Sequence, residues 1–549
     1  MGSPLIGYDE NLSRKIEAGK KIILEDFMFK LEEKGTTVKT EIVAGLTTFM
    51  AMVYILMVNA GMFSELGVVS YGAMYIVTAL SAIIGTVLIG LLSGLPLAQA
   101  PGMGLNAFFV YTMCFTFGFS YANALVFILL DGVIFVILTL TGLRKKIFEA
   151  IPDVVKKAIP AGIGLFIAFI GLQNAKLVIP SSSTGVTMGS MNLLTPNSWA
   201  SVMPLVVCVA GVIAIAAMSK KNVKGAILWG ILGSAVLYFV LGLTVSSFYN
   251  GVGYTEVYTY DVLTKSWVLT GGEGSANSYF LGYFATSQLP FVDANDAVAV
   301  AQAVLTPQTI EYLPNTLSLS IVQPFKDFGT QAVGKVFTEG FNFAPYIEAH
   351  GVANFILMAI TSALAFCLVD MFDTLGTLYG ACKSGNLLDE NGDVPNLNKA
   401  MMADAVATCA GAVLGTSTVT TFVESSAGTA AGGKTALTSY VVAILFALAM
   451  FLSPIAQLIP SCATATALVY VGVLMMSNVR DIDWADPAAA LPAFLTIAMM
   501  PFTYNISFGI GFGLLSYVVI KLCTGKIKEV SVATYVLTAI FLAMFLLTH

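Results

Sequence analysis

The sequence predicts an all-α polytopic membrane protein of about 14 transmembrane segments in a 7+7 inverted repeat, with segments 3 and 10 part strand and part helix. Three observations predict it. The chain of 549 residues is 57% hydrophobic and only 11% charged, too apolar to cover itself with water-facing side chains. Its apolar residues come in blocks of about 18 to 25, long enough to cross roughly 30 Å of hydrocarbon as helices. Between Lys39 and Arg144 there is no Lys or Arg, and the only acids are Glu41, Glu65 and Asp131.

Seven apolar blocks fill residues 41–62, 70–93, 98–116, 121–142, 157–175, 200–219 and 224–248. After a polar stretch, seven more fill 352–380, 399–415, 417–432, 436–459, 463–478, 487–503 and 504–522. The expected organisation is therefore a cytoplasmic N-terminal segment (1–40), spans 1–4 (41–142), spans 5–7 (143–248), an extracellular insertion (249–351), spans 8–11 (352–460), spans 12–14 (461–523) and an extra C-terminal apolar segment (524–549). The part of that last segment at 530–547 reads equally as a further span or as an interfacial helix. The polar, mixed-charge first forty residues lack the flanks of a cleaved signal peptide, so the opening apolar block is read as the first span.

Loop cations set the orientation, because Lys and Arg accumulate on the cytoplasmic side. The clusters Arg144, Lys145, Lys146, Lys156, Lys157, then Lys220, Lys221, Lys224, then Lys521, Lys526, Lys528 are separated by even numbers of spans. They face the cytoplasm together, with Arg14, Lys15, Lys20 and Lys21 of the N-terminus. Residues 249–351 then lie outside, as a surface insertion or as a lid over an outer vestibule. The acidic balance, net −6, carries no basic stripe, which argues against nucleic acid as a partner. Seven scattered cysteines and two histidines (His350, His549) offer no metal-ligand spacing, so no metal and no cofactor are expected, and proton handling falls to carboxylates.

Two segments break the pattern. The third opens Leu95-Pro96-Leu97-Ala98-Gln99-Ala100-Pro101-Gly102-Met103-Gly104-Leu105-Asn106, with two prolines and two glycines. The tenth opens Gly415-Thr416-Ser417-Thr418-Val419-Thr420-Thr421-Phe422-Val423-Glu424-Ser425, rich in Thr and β-branched residues. Both should start extended and then turn into short helices. Each stands third in its half. Extended backbone at membrane depth is tolerated only inside protein or beside a water-filled cavity, so the two together point to the transport site.

A carboxylate at the bilayer centre costs about 2.5–3.5 kcal/mol on insertion scales, so acids inside spans are functional candidates. Asp370 and Glu424 lead. Asp373, three residues beyond Asp370, shares its helix face. Asn106 at the third-segment break can donate and accept at once. Asp404 and Asp131 read as structural hydrogen-bonding groups. A site with acids and no intramembrane Arg or Lys disfavours anions and suits a neutral heterocycle with ring N–H donors and carbonyl acceptors, with Phe108, Phe109 and Phe422 as stacking faces. Of the acids, Asp370 and Glu424 are the expected groups to take up and release a proton in each cycle, the physical basis of symport.

At these residues the sequence resembles the azaguanine-resistance type of purine permease within the nucleobase cation symporter family, which also holds uracil and xanthine permeases. The matching stretches are Ala44-Gly-Leu-Thr-Thr-Phe-Met-Ala-Met-Val-Tyr-Ile, Ala100-Pro-Gly-Met-Gly-Leu-Asn-Ala-Phe-Phe, Ala161-Gly-Ile-Gly-Leu-Phe-Ile-Ala-Phe-Ile-Gly-Leu-Gln-Asn, Asp370-Met-Phe-Asp-Thr-Leu-Gly-Thr and Gly415-Thr-Ser-Thr-Val-Thr-Thr-Phe-Val-Glu-Ser-Ser-Ala-Gly. The resemblance implies that spans 1–4 and 8–11 form a core moving against a gate of the others, that the protein is a homodimer in the plasma (inner) membrane, and that its substrates are purine nucleobases (hypoxanthine, guanine or adenine). It implies substrate contacts at Asp370, Glu424, Asn106 and Asp373, with backbone contacts at Phe422 and Val423; Ser425 and Phe108 complete the expected site. Lys434 and Ala436 stand where the family pattern expects Arg and Gly, and the loop after span seven is longer than usual.

Three other readings compete. Sodium could replace the proton as coupling ion. An anion transporter of the sulfate and bicarbonate type shares broken third and tenth segments but would want a neutral or positive site. An intramembrane aspartyl protease would need a Gly-x-Gly-Asp signature, which is missing, and aspartates on two facing helices.

Overall fold

The computed structural model of the protein describes residues 31–142, 151–181, 183–189, 191, 198–246, 255–263, 265–271, 292, 296–311, 320–390 and 392–547. The basic residues Arg144, Lys145 and Lys146, the cationic N-terminus and His549 lie outside them. Among the described residues, nine helices are long and apolar enough to cross a membrane, accompanied by four shorter apolar helices.

The first half runs α1 (Val38–Met52), α2 (Tyr54–Ser64), α3 (Tyr71–Ser93), β1 (Gln99–Pro101), α4 (Met103–Ala107), α5 (Tyr121–Thr141), α6 (Asp153–Asn174), the β2 (Val178–Ser181) and β3 (Gly185–Met188) hairpin, α7 (Ser198–Lys220) and α8 (Ala226–Ser246). Between α4 and α5 the chain continues as a π-helix over Phe108–Thr116. The intervening stretch holds β4 (Thr255–Asp261), β5 (Ser266–Gly271), α9 (Ala297–Leu305), β6 (Gln308–Glu311), α10 (Gln323–Asp327), α11 (Lys335–Thr338) and α12 (Ala344–His350). The second half runs α13 (Val352–Ser384), α14 (Leu397–Leu414), β7 (Val419–Thr421), α15 (Ser425–Ala430), α16 (Ala436–Ala449), α17 (Ser453–Ala456), α18 (Ser461–Met475), α19 (Pro487–Phe502), α20 (Ile506–Cys523) and α21 (Val532–Leu547).

Helix starts follow side-chain chemistry. The hydroxyls of Thr37, Ser70 and Ser120 accept the N–H of the residue three further on, and Gly94 and Gly142 close α3 and α5 in the left-handed region. In one packing group α3 lies against α14 and α16, and α5 against α14; in another, α6 lies against α18 and α19, and α19 against α20. Where α6 crosses α18, a Cβ on Gly472 would fall against the Gly164 carbonyl, so the two backbones approach as only small residues allow.

The long insertion is neither a plain surface loop nor free of the bundle. Its first part is a small antiparallel sheet in the order β5-β4-β6, with Trp267 edge-on to Tyr260. Its second part, residues 323–350, clamps the ends of α3, α5 and α14. Ser70 Oγ donates to Asp327 at 3.0 Å, and the Ser70 N–H donates to Gln331 Oε1 at 2.7 Å. Asn123 Nδ2 reaches the carbonyls of Gly340 and Asn342 at 2.7 and 3.1 Å, and Gly334 N–H bonds the Val413 carbonyl at 2.8 Å. Tyr346 stacks on Phe119 with centroids 4.0 Å apart. The C-terminal apolar segment forms a helix, α21, packed on α20 through Phe545 and Phe512, centroids 4.8 Å apart.

Candidate functional site

The third and tenth segments do open extended, and they pair with each other. β1 and β7 are antiparallel, with Gln99 opposite Thr421, Ala100 opposite Thr420 and Pro101 opposite Val419. Two further backbone bonds close the crossing, Gly102 N–H to the Thr418 carbonyl and Phe422 N–H to the Ala98 carbonyl, each 3.0 Å. A two-stranded ribbon leaves its outer N–H and C=O groups unpaired, and inside a bundle they need partners from the protein. Hydroxyls supply the partners. Thr86 exchanges bonds with the Gln99 N–H and carbonyl at 3.0 and 3.1 Å, Thr408 does the same for Val419 at 3.1 and 3.3 Å, and Ser439 donates to the Leu95 and Leu97 carbonyls at 3.0 and 2.6 Å. These residues hold the crossing from α3, α14 and α16.

Around this crossing the expected site residues separate into two sets. Asp373 and Glu424 are half-buried. Each has one oxygen held by a hydroxyl: Thr420 Oγ1 donates to Asp373 Oδ2 at 3.2 Å, and Tyr54 Oη donates to Glu424 Oε1 at 2.6 Å. Gly102 completes this wall, since a Cβ there would stand 3.0 Å from Thr420 Oγ1 and 3.5 Å from Asp373 Oδ2. Phe422 is almost wholly buried, while the neighbouring Val423 is 43% exposed.

The second set is fully buried. Asp370 has Thr374 Oγ1 3.4 Å from its Oδ1, and the same hydroxyl lies 2.8 Å from Asp404 Oδ2. Asp404 Oδ1 in turn accepts from Gln99 Nε2 at 3.1 Å, and that amide also reaches Thr421 Oγ1 at 3.2 Å. Asn106 accepts the Ser417 hydroxyl on its Oδ1 and turns its amide N–H toward the Pro101 carbonyl at 3.4 Å. Ser425 bonds both the N–H and the carbonyl of Ala98, at 3.0 and 3.4 Å. Phe108 packs edge-on to Phe366 with centroids 4.7 Å apart. Asn106 and Ser425 thus brace the crossing from behind, Asp370 lies beside Thr374 on α13, and Asp373 and Glu424 stand at the open side.

Sequence reasoning passed over four residues that the geometry brings forward. Tyr54 was part of a matched stretch but received no role; a phenol in the middle of an apolar span needs a partner, and that was the available signal. Gln99 and Thr420 sit inside the anomalous segments. Glu41 is fully buried and accepts the N–H groups of Lys434, Thr435 and Thr438 at 2.9, 3.3 and 3.2 Å and the Thr438 hydroxyl at 2.6 Å. It is a cap for α16 supplied from α1.

A cavity of about 910 Å³ opens beside the site, between α6 and α13, lined by Lys156, Lys157, Phe372, Gly376, Tyr379 and Asp393 among others. Phe372, Leu375, Gly376 and Tyr379 line it from one face of α13, the helix that carries Asp373. At the opposite end the two packing groups are tied together. Thr112 Oγ1 donates to the Tyr504 carbonyl at 3.0 Å across the two groups; within them Tyr504 Oη donates to Gln173 Oε1 at 2.7 Å and Tyr111 Oη to Glu65 Oε2 at 2.9 Å. The Tyr111 and Tyr504 rings meet edge-on at 5.5 Å. Among the described residues no cluster of three or more His, Cys, Asp or Glu could hold a metal ion.

A many-span helical bundle whose two half-extended segments cross beside an acidic pair has the architecture of a membrane transporter. The chain matches the xanthine/uracil permease model, described as the Permease family, over residues 39–271 and 328–512, and it belongs to that family. Permeases are transporters rather than enzymes. The guanine/hypoxanthine permease PbuO of Bacillus subtilis is 35% identical over 94% of this chain and 98% of its own. The adenine permease AdeP of Escherichia coli is 32% identical over 94% of each chain, and a second Bacillus subtilis guanine/hypoxanthine permease, PbuG, is 34% identical over 94% of this chain and 98% of its own. In fold, the chain resembles the transmembrane domain of the cyanobacterial bicarbonate transporter BicA (TM-score 0.51, 13% identity, 85% of this chain and 96% of that one). It also resembles SLC26A9 (TM-score 0.50, 9% identity, 95% of this chain and 72% of that one).

Proposed function

We propose that the protein is a secondary active transporter that imports purine nucleobases, hypoxanthine, guanine or adenine, by proton symport with alternating access. The observation that carries this reading is the pair Asp373 and Glu424, each with one oxygen held by a protein hydroxyl at the crossing of the two half-extended segments. A purine base presents N–H donors in its ring plane, which a carboxylate oxygen accepts; backbone and hydroxyl groups of the crossing answer its carbonyl or ring nitrogens. The relatives named for guanine, hypoxanthine and adenine support the same substrate class.

Coupling follows from the same groups. A carboxyl group away from bulk water that meets a second carboxyl can take a proton with the substrate and give it up on the other side. Glu424 and Asp370 are the proposed proton-handling groups, with Asp373 contacting the base. Alternating access is then a movement of the core (residues 41–142 and 352–460) against the gate (143–248 and 461–523). The end lined by Lys156 and Lys157 is open and the end tied by Tyr504 is closed; by the distribution of loop cations the open end is cytoplasmic, with the N-terminus on that side of the plasma membrane and a homodimer as the working unit.

The test is uptake of labelled hypoxanthine by liposomes containing the purified protein, with and without an inward proton gradient and without sodium, competed by guanine, adenine and uracil. Gradient-driven accumulation blocked by purines and not by uracil is expected. Accumulation only with sodium would replace the coupling ion, and no accumulation by inserted protein under either gradient would sink the reading.

A further inference from the structure

We infer that Tyr54 is a positioning residue for Glu424: its hydroxyl fixes the direction in which the carboxylate presents its second oxygen, and substrate affinity depends on that bond. The inference rests on the substrate reading above and assigns a role to a residue outside the acid and amide set.

Glu424 stands between β7 and α15, at the position from which a carboxylate would ordinarily cap its own helix, yet its side chain makes no cap bond there. It reaches instead to another span, where Tyr54 Oη donates to Oε1 at 2.6 Å. Tyr54 is fully buried and begins α2, directly after Val53, whose backbone stays helical and whose N–H bonds the Phe49 carbonyl at 2.8 Å. The first span is therefore continuous from Val38 to Ser64, and a regular helix carries the phenol.

The consequence is geometric. A Glu side chain has three rotatable bonds, and a half-buried one with no tether samples several directions. With Oε1 held by Tyr54, rotation of the carboxylate is restricted, and the direction of its second oxygen is set with it. Asp373 is tethered in the same manner, by Thr420 on Oδ2. Both acids therefore present one oxygen each in a fixed direction, which is what a planar base with two N–H donors requires.

The experiment compares Tyr54→Phe, Glu424→Gln and the parent in detergent, by calorimetric titration with hypoxanthine, by thermal unfolding, and by infrared spectroscopy of the carboxyl region. Tyr54→Phe is expected to weaken hypoxanthine binding about tenfold or more, as loss of a hydrogen bond to a charged group should, to leave the melting temperature where it is, and to move the infrared band that vanishes in Glu424→Gln. Parental affinity in Tyr54→Phe, an unmoved band, or a melting temperature that falls in step with affinity would overturn the inference. Loss of binding in Glu424→Gln with none in Tyr54→Phe fails Tyr54 alone; parental binding in Glu424→Gln fails the substrate reading as well.

Discussion

Replacing Glu41 should damage the fold and spare the site, although a fully buried acid in a membrane span is ordinarily a functional candidate. Its carboxylate lies at the start of α16 and accepts three backbone N–H groups and one hydroxyl. Thr435 Oγ1 caps only Leu437 N–H, at 3.3 Å, so Glu41 supplies what the first turn lacks, with a negative charge at the positive end of the helix dipole. Glu41→Gln has one acceptor oxygen where the carboxylate has two: turned to the three donors of Thr435 and Thr438, it sets its N–H2 group against the Lys434 N–H. At about 1–3 kcal/mol for a buried polar group left without a partner, together with the charge lost at the helix end, the loss should be about 2–4 kcal/mol. Glu41→Ala should lose more.

The assay is reversible unfolding in mixed micelles, paired with hypoxanthine titration of the folded fraction. Glu41→Gln should be clearly less stable while its folded fraction binds as the parent does. Stability within about 1 kcal/mol of the parent, near the scatter of ordinary surface changes, would refute the capping argument. Preserved stability with lost binding would move Glu41 into the transport site.

Glu424→Gln should abolish proton-driven uptake in the liposome assay, and Asp370→Asn should greatly weaken it; near-normal uptake by both would dismiss the acid assignment. Asp404→Asn sets an amide N–H2 against Thr374 or Gln99, so it should lower unfolding stability by about 1–3 kcal/mol with a smaller effect on hypoxanthine affinity, and a loss of affinity equal to that of Asp370→Asn would show that the two acids act as one. Thr112→Val cuts the bond to the Tyr504 carbonyl that joins the two groups and should raise the labelling rate of a cysteine placed at Gln173 by a membrane-impermeant reagent from the outer side. An unchanged rate would show that the tie does not hold that end closed.

The broad architecture was legible because lipid leaves few choices. Blocks of apolar residues without Lys or Arg must be helices, and Pro96, Pro101 and the Thr-rich run at 416–421 must interrupt them. The pairing of β1 with β7 was not legible, because antiparallel register depends on which residues face Thr86 and Thr408 from other spans. The clamp at residues 323–350 escaped for a related reason: its helices are short and polar, and they hold through single side chains such as Asn123 and Ser70 rather than through a periodic apolar face. Within the site, helical spacing placed Asp370 and Asp373 on one face, but three residues is about 300° of rotation. That difference is enough to turn Asp373 toward Glu424 and Asp370 toward Thr374 and Asp404.

Fold and site make separate arguments about the cargo. The bundle shares its architecture with a bicarbonate transporter, and at 13% identity that likeness concerns the path of the chain and not what it carries. The crossing of two half-extended segments offers backbone groups and helix ends to a polar solute of either sign. What selects is the nearest side-chain charge. Here the half-buried groups at the open side are Asp373 and Glu424, and their tethers are hydroxyls of Thr420 and Tyr54 that stabilise carboxylates without neutralising them. An anion brought to that point would meet two acids with no intramembrane Arg or Lys to offset them, at a separation where low dielectric magnifies repulsion. A neutral base with N–H donors would meet acceptors instead, which is the reason the proposed substrate suits the residues at the mouth of the crossing.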